Sequence, residues 1–234
     1  MLTYALLSLR DLHQNVAIMI IMCGRYVRKT PIAELAARYG ISHIACELEP
    51  SYNVTPTQPV AAIVYNRRIE AQQLVTLRWG LVPAWAKDPS GAAKMINARS
   101  ESLTEKPSFR EAFRQRRCLM PANGFYEWRG NVRKRPFWLT PGEGASLYFA
   151  AVWEAYPVQD QVWLSCAVVT QAAMNQRRPL ILDEAGQAAW LDPDTPLARL
   201  HELLASPPAT LRERALAHFV NDPKLDAPEC LTPA

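Results

Sequence analysis

Two apolar runs, at residues 147–154 and 162–170, restrict the fold more than any other stretch of this 234-residue chain. They are rich in β-branched, aromatic and small apolar side chains and are short, which is the signature of buried strands at the centre of a sheet. Other strand signals are grouped around them. Residues 60–65 and 69–79 form a hairpin about Asn66-Arg67-Arg68, residues 118–120 and 124–129 are strands, and a basic loop at 130–135 leads into another at 136–140. Residues 23–28 alternate as a short strand, and 42–58 form an extended polar connection. Helices are fewer. Thr30-Pro31 caps and opens one that runs to Tyr39 and stops at Gly40. Residues 96–101 lead into another, Pro107 begins a third, and 184–191 and 195–204 are helical, while the tail from Pro207 is broken by prolines. Nineteen prolines against nine glycines give rigid, non-helical connections rather than flexible linkers. With no repeat and no compositional break, the expected fold is α+β. It is a single domain whose mainly antiparallel sheet curves into an open barrel-like core with peripheral helices.

The first twenty-one residues differ from the rest. Val16-Ala17-Ile18-Met19-Ile20-Ile21-Met22 is apolar but too short to span a bilayer, and it lacks the basic lead and small-residue cleavage site of a secretory signal. Residues 1–21 therefore read as a leader or an upstream translation start, with the working domain at 22–234 and Met22 as a possible initiator. The five cysteines (Cys23, Cys46, Cys118, Cys166, Cys230) contain no C-x-x-C pair. That argues against a disulfide framework and a zinc site and for a reducing, cytoplasmic setting.

Charge is unevenly placed. Residues 94–138 carry eleven Lys/Arg against four Glu, whereas 139–234 carry six basic against twelve acidic groups. Such a bias suits either a positive face for a phosphate-bearing partner or an ordinary solvated surface rich in arginine. Glu127 stands out in a different way, framed by Phe125, Tyr126 and Trp128. On a strand it shares a face with Phe125 and points away from Tyr126 and Trp128. One reading is a desolvated carboxyl with a raised pKa, ready for acid–base work. The other is a carboxylate paired to an arginine for structural reasons.

Six strings recur in order between residue 22 and about 230. They are Met22-Cys23-Gly24-Arg25-Tyr26, Tyr52-Asn53-Val54-Thr55-Pro56 and the run from Arg78-Trp79-Gly80 to Pro83-Ala84-Trp85. The others are Ile96-Asn97-Ala98-Arg99-Ser100-Glu101, the run from Arg117-Cys118 through Pro121-Ala122-Asn123-Gly124 to Glu127-Trp128, and Arg177-Arg178-Pro179-Leu180-Ile181-Leu182. Together they resemble the SOS-response-associated peptidase (SRAP) family, whose members capture abasic sites in single-stranded DNA as a covalent DNA–protein crosslink. The resemblance implies that Met22 is removed and that Cys23 then presents an α-amine and a thiol on adjacent carbons. The amine adds to the sugar aldehyde, and the thiol closes a thiazolidine. It implies that Glu127 assists ring opening and proton transfer and that Asn97 holds the sugar and the cysteine. It also assigns phosphates to Arg25, Arg99 and Arg177, and places Asn53, Pro56 and Trp85 at the DNA, with Trp85 and Pro56 in an apolar wedge. Trp79, at a strand end, reads as core. The implied protein needs no cofactor or metal, makes no membrane contact and acts as a monomer.

Two departures from the family pattern bear on mechanism. Where the family writes Ile-His-Asp-Arg, this chain has Met174-Asn175-Gln176-Arg177, so Asn175 takes the histidine's place among the catalytic residues. An amide can donate and accept hydrogen bonds but cannot shuttle a proton. His13, His43, His201 and His218 lie outside the strings. Secondly, while residues 1–22 stay attached the nitrogen of Cys23 is an amide. Three readings follow: a crosslinking protein trimmed to Cys23, a self-processing thiol peptidase or hydrolase, and a non-covalent single-strand binder.

Overall fold

The computed structural model describes residues 23–130, 132, 134–142, 145–158, 161–173 and 176–234. The leader therefore lies outside the described residues, as do Asn175 and, in the basic loop, Asn131 and Arg133. Strands dominate, and they build two sheets. The larger runs in the order β12 (Gln176–Pro179), β11 (Gln161–Ala173), β10 (Leu147–Val158), β7 (Arg117–Ala122), β4 (Pro59–Asn66), β5 (Ala71–Trp79) and β2 (His43–Ala45). A parallel pairing of β11 with β5, at Ser165↔Arg78 and Cys166↔Trp79, joins the strands into a closed ring of β4, β5, β11, β10 and β7. The expected curved, mainly antiparallel sheet is thus a five-stranded barrel. Among the described residues, no helix is long and apolar enough to cross a membrane.

The barrel strands are apolar on both faces because both are covered. Along β4, Val60, Ala62 and Val64 point inward with Leu77, Trp79, Met120, Phe149 and Cys166. Ala61 and Ile63 point outward. There they meet the helices α1 (Ile32–Tyr39), α2 (Arg110–Gln115), α3 (Glu184–Leu191) and α4 (Leu197–Leu204). Covering both faces turns alternation into the continuous apolar runs seen in the sequence.

The smaller sheet, in the order β13 (Arg212–Ala215), β9 (Arg135–Thr140), β8 (Gly124–Arg129), β1 (Tyr26–Arg28) and β3 (Ser51–Val54), lies across one end of the barrel. Its inner residues Tyr26 and Phe125 enter the barrel core, with Tyr26 edge-on to Trp79 at 5.5 Å and to Phe149 at 5.9 Å.

Four local expectations change. Residues 97–99 form a strand, β6 (Asn97–Arg99), which pairs with β11 and gives way to a single 3-10 turn at Ser100–Ser102. The helix expected at Pro107 begins at Arg110, after a turn closed by Phe109 N–H on the Lys106 carbonyl. Thr30 does not cap α1, because its hydroxyl accepts from the Asn123 amide at 2.9 Å and Pro31 takes the cap position. Gly40 does end that helix, in the left-handed conformation at φ 61°. The tail is not merely broken by proline, since it adds β13 to the edge of the smaller sheet beside β9.

Candidate functional site

Cys23 is buried at the entrance to β1, against the apolar end of the barrel. Pairing of Tyr26 with Phe125 and Val27 with Gly124, continued back through the hydrogen bond from Tyr126 N–H to the Arg25 carbonyl, sets Gly24 beside Glu127. The turn before β8 makes this approach possible. Gly124 has φ 159°, and a Cβ there would lie 2.4 Å from both the Leu139 carbonyl oxygen and the Trp138 ring. Asn123 locks the far end of β1: its side-chain oxygen accepts from the backbone N–H groups of Lys29 and Thr30 at 2.7 and 3.1 Å.

Asn97 reaches the same place from β11's side of the barrel. Its Nδ2 donates to the Cys23 carbonyl at 2.9 Å, while its Oδ1 is buried without a protein partner. The Trp79 indole fixes this arm by donating to the Ile96 carbonyl at 2.9 Å, which accounts for its full burial as core. Burial, and secondarily the charge of Glu127, pushes the Cys23 thiol up to about 12, with a backbone hydrogen bond from Arg25 opposing. Cys23, Asn97 and Glu127 are therefore brought together from three separate strings.

Glu127 is buried and faces the barrel with Phe125, as strand alternation requires. It is not isolated. Arg129 Nη2 donates to its Oε2 at 2.6 Å and Arg178 Nε to its Oε1 at 2.8 Å. Both guanidiniums also bind Glu213 on β13. Of the two readings of Glu127, the structure shows the arginine-paired carboxylate, here within a ring of two acids and two arginines. Sequence reasoning missed three of its four members. Arg129 was detectable in principle, since it follows Glu127 by two on one strand; Glu213 left no such signal.

The remaining candidates are spread around this centre. Arg25 is half-buried; it donates to Asn53 Oδ1 at 3.2 Å and to the Val220 carbonyl, and stacks over Trp128 at 5.3 Å. Asn53 is buried, and its amide donates to the carbonyls of Asp222 and Leu225 at 3.1 and 2.7 Å. Arg177 forms a two-pronged pair with Glu101 at 3.0 and 2.8 Å. Arg99 is exposed at the end of β6, Pro56 is half-buried, and Trp85 is 65 % exposed in the loop after β5. Much of the basic excess is engaged internally: Arg116 pairs with Glu154, and Arg117 donates to four backbone carbonyls. Among the described residues, no three His, Cys, Asp or Glu side chains cluster as metal ligands.

Comparison with known proteins is consistent with this geometry. The family model described as SOS response associated peptidase (SRAP) matches residues 22–223. The chain is 34% identical over 223 residues to abasic site processing protein YoaM of Bacillus subtilis, covering 90% of this chain and 97% of that one. It is equally similar, at 34% over 223 residues, to abasic site processing protein YoqW of Bacillus phage SPbeta, covering 90% of this chain and 99% of the phage protein. A crystal structure of a Bacteroides thetaiotaomicron protein, 23% identical, has the same fold with a TM-score of 0.80, over 91% of this chain and 100% of the other. The chain belongs to the SRAP family.

Proposed function

We propose that this protein captures abasic sites in single-stranded DNA, as a monomer and without a cofactor or metal, through Cys23 once the residues before it have been removed. The observation that carries the reading is the grip on Cys23. The one residue able to supply an amine and a thiol to a single carbon is held at its carbonyl by Asn97 and lies in the field of Glu127. A free α-amine has a pKa of about 7.7–8.0, so a useful fraction is neutral and nucleophilic at physiological pH. It adds to C1′ of the ring-opened sugar, and loss of one water gives an imine. The thiol sulfur then adds to that carbon while its proton passes, by way of Glu127, to the imine nitrogen. The product is a five-membered thiazolidine, and no oxidant or reductant enters.

The other residues have roles that their chemistry supports. Asn97 Oδ1, buried without a partner, accepts from a sugar hydroxyl. Exposed Trp85 and half-buried Pro56 offer apolar surface to the flanking bases, and Arg25, Arg99 and Arg177 offer forks to phosphates, with Asn53 holding Arg25. Asn175 supplies hydrogen bonds only, which leaves Glu127 as the acid–base group. The self-processing peptidase reading would use the same thiol and the same carboxylate, and it predicts cleavage at Met22–Cys23 in purified full-length protein, read as a change in intact mass with time. On the crosslinking reading, translation from Met22 followed by aminopeptidase trimming would leave Cys23 as the first residue.

The test uses protein whose N-terminus is verified by mass as Cys23. Incubation with a uracil-excised single-stranded oligonucleotide should give a heat-stable shifted band whose mass is protein plus DNA less one water. Cys23→Ala should abolish it. Absence of the band from verified wild-type protein overturns the reading.

A further inference from the structure

Two arginines beside Cys23 are held in the same way. Arg129 and Arg178 are each anchored from within by the Glu127 carboxylate, whose side chain is 5% exposed. Their outer N–H groups converge on Glu213, which is 37% exposed. Arg129 donates to it through Nη1 at 2.7 Å and Nη2 at 2.9 Å, and Arg178 through Nη2 at 2.8 Å. Arg129 is further fixed over the Phe137 ring at 4.7 Å. A guanidinium fork meets a carboxylate and a phosphate through the same pair of N–H bonds. A carboxylate held two-pronged on the solvent side of two anchored arginines therefore has the donors that a phosphodiester would use.

We propose that Arg129 and Arg178 form a backbone-phosphate site beside Cys23, and that Glu213 fills this site in DNA-free protein as an internal competitor that the incoming strand displaces. The proposal rests on the DNA reading above and adds a contact and a brake to it. The outer half of the ring faces solvent, so an incoming phosphate can reach it and take over the N–H groups that Glu213 occupies; the buried inner half keeps the forks aimed while the exchange occurs. Arg177 repeats the arrangement, its fork filled by Glu101, which is 53% exposed. With the brake engaged an undamaged strand is held loosely, and a strand that also engages Cys23 gains the site.

The experiment compares wild-type protein with Glu213→Gln for binding of a labelled, undamaged oligothymidylate, by fluorescence anisotropy across a salt series. Glu213→Gln should bind several-fold more tightly at low salt, with a log–log salt slope steeper by about 0.7, one single-strand phosphate contact. Glu213→Asp should retain the wild-type slope, and Glu213→Gln combined with Arg129→Gln should lose the gain. Inorganic phosphate should weaken binding to Glu213→Gln more than to wild type. Melting temperatures confirm that each variant is folded. Equal or weaker binding by folded Glu213→Gln, with an unchanged slope, overturns the phosphate site and leaves Glu213 as a brace for the two arginines. If wild type crosslinks an abasic strand and this slope is still unchanged, only the phosphate site falls. If wild type neither binds nor crosslinks, the DNA reading falls with it.

Discussion

At Cys23 two requirements conflict. Burial and the Glu127 charge hold the thiol protonated, up to about 12, yet in the proposed crosslinking reaction the sulfur must add to an imine. The conflict is resolved if the thiol reacts with its proton attached and passes that proton to Glu127 as the bond forms. The alternative, a preformed thiolate, makes the opposite demand on Glu127, and one variant separates them. Glu127→Gln removes a charge that raises the thiol, so the pH at which Cys23 is half-alkylated by iodoacetamide should move down. Crosslinking should nevertheless slow, on the order of a hundredfold, because the proton acceptor is gone. Both are read by mass spectrometry, alkylation at the Cys23 peptide and crosslinking as product against time. A variant that alkylates faster and also crosslinks faster would show that thiolate supply, not proton transfer, limits the reaction. Once Cys23 is the chain terminus, its α-ammonium adds a positive charge beside the sulfur and brings the thiol down in both proteins, without changing the order.

Among the elements, β8 carries the heaviest constraint, since it must touch β1 on one side and β9 on the other while aiming Glu127 inward. Gly124 is the point at which that is possible. Gly124→Ala sets a methyl carbon 2.4 Å from the Leu139 carbonyl oxygen and the Trp138 ring at a φ that side chains rarely adopt. We expect a loss of about 1–3 kcal/mol in chemical denaturation, with crosslinking reduced because β1 and Cys23 shift with β8. An unchanged denaturation midpoint would mean that β9 yields readily. The same element shows what the sequence could and could not reveal. Hairpin β4–β5 was legible from Asn66-Arg67-Arg68, α1 from Gly40 and the inward turn of Glu127 from strand period, because each signal is local. Closure of the barrel was not, since β5 meets β11 over a span of some ninety residues through two paired positions. Nor was β13, where Arg212-Glu213-Arg214 lacks apolar alternation because this edge strand lies exposed on both faces. The four-membered ring at Glu127 was hidden for that reason, since its outer acid comes from the element with no pattern to read.

For the molecule as a whole, the placement of titratable groups sets two different edges of stability. On the acid side, hydrogen bonds from Arg129 and Arg178 hold Glu213 down to about 2, and Arg177 holds Glu101 below its ordinary value. Depressed carboxyls stabilise the fold above about pH 4.5, and that contribution is lost as pH falls from there toward 2. Both groups are exposed, so this edge should be shallow and should weaken in salt. On the alkaline side, burial raises the thiols of Cys23, Cys118 and Cys166 and the phenol of Tyr26. For an acid raised on folding the sign reverses. The unfolded chain releases its protons first, so stability is intact below about pH 9 and is lost as pH climbs toward 12. Each buried thiol then costs about 1.4 kcal/mol per pH unit. Three of them together are large against a typical domain stability of about 5–15 kcal/mol. Denaturation from pH 8 to 11 should therefore show a steep loss that salt does not soften, and Cys118→Ala should reduce its slope above pH 9 by one group's share, about 1.4 kcal/mol per pH unit, while leaving the acid edge in place. An alkaline slope that ignores Cys118→Ala would mean that these thiols reach solvent before the barrel opens. The barrel that shelters Cys23 would then breathe on its own, and the protonated thiol on which the proposed crosslinking depends would no longer be a property of the closed fold.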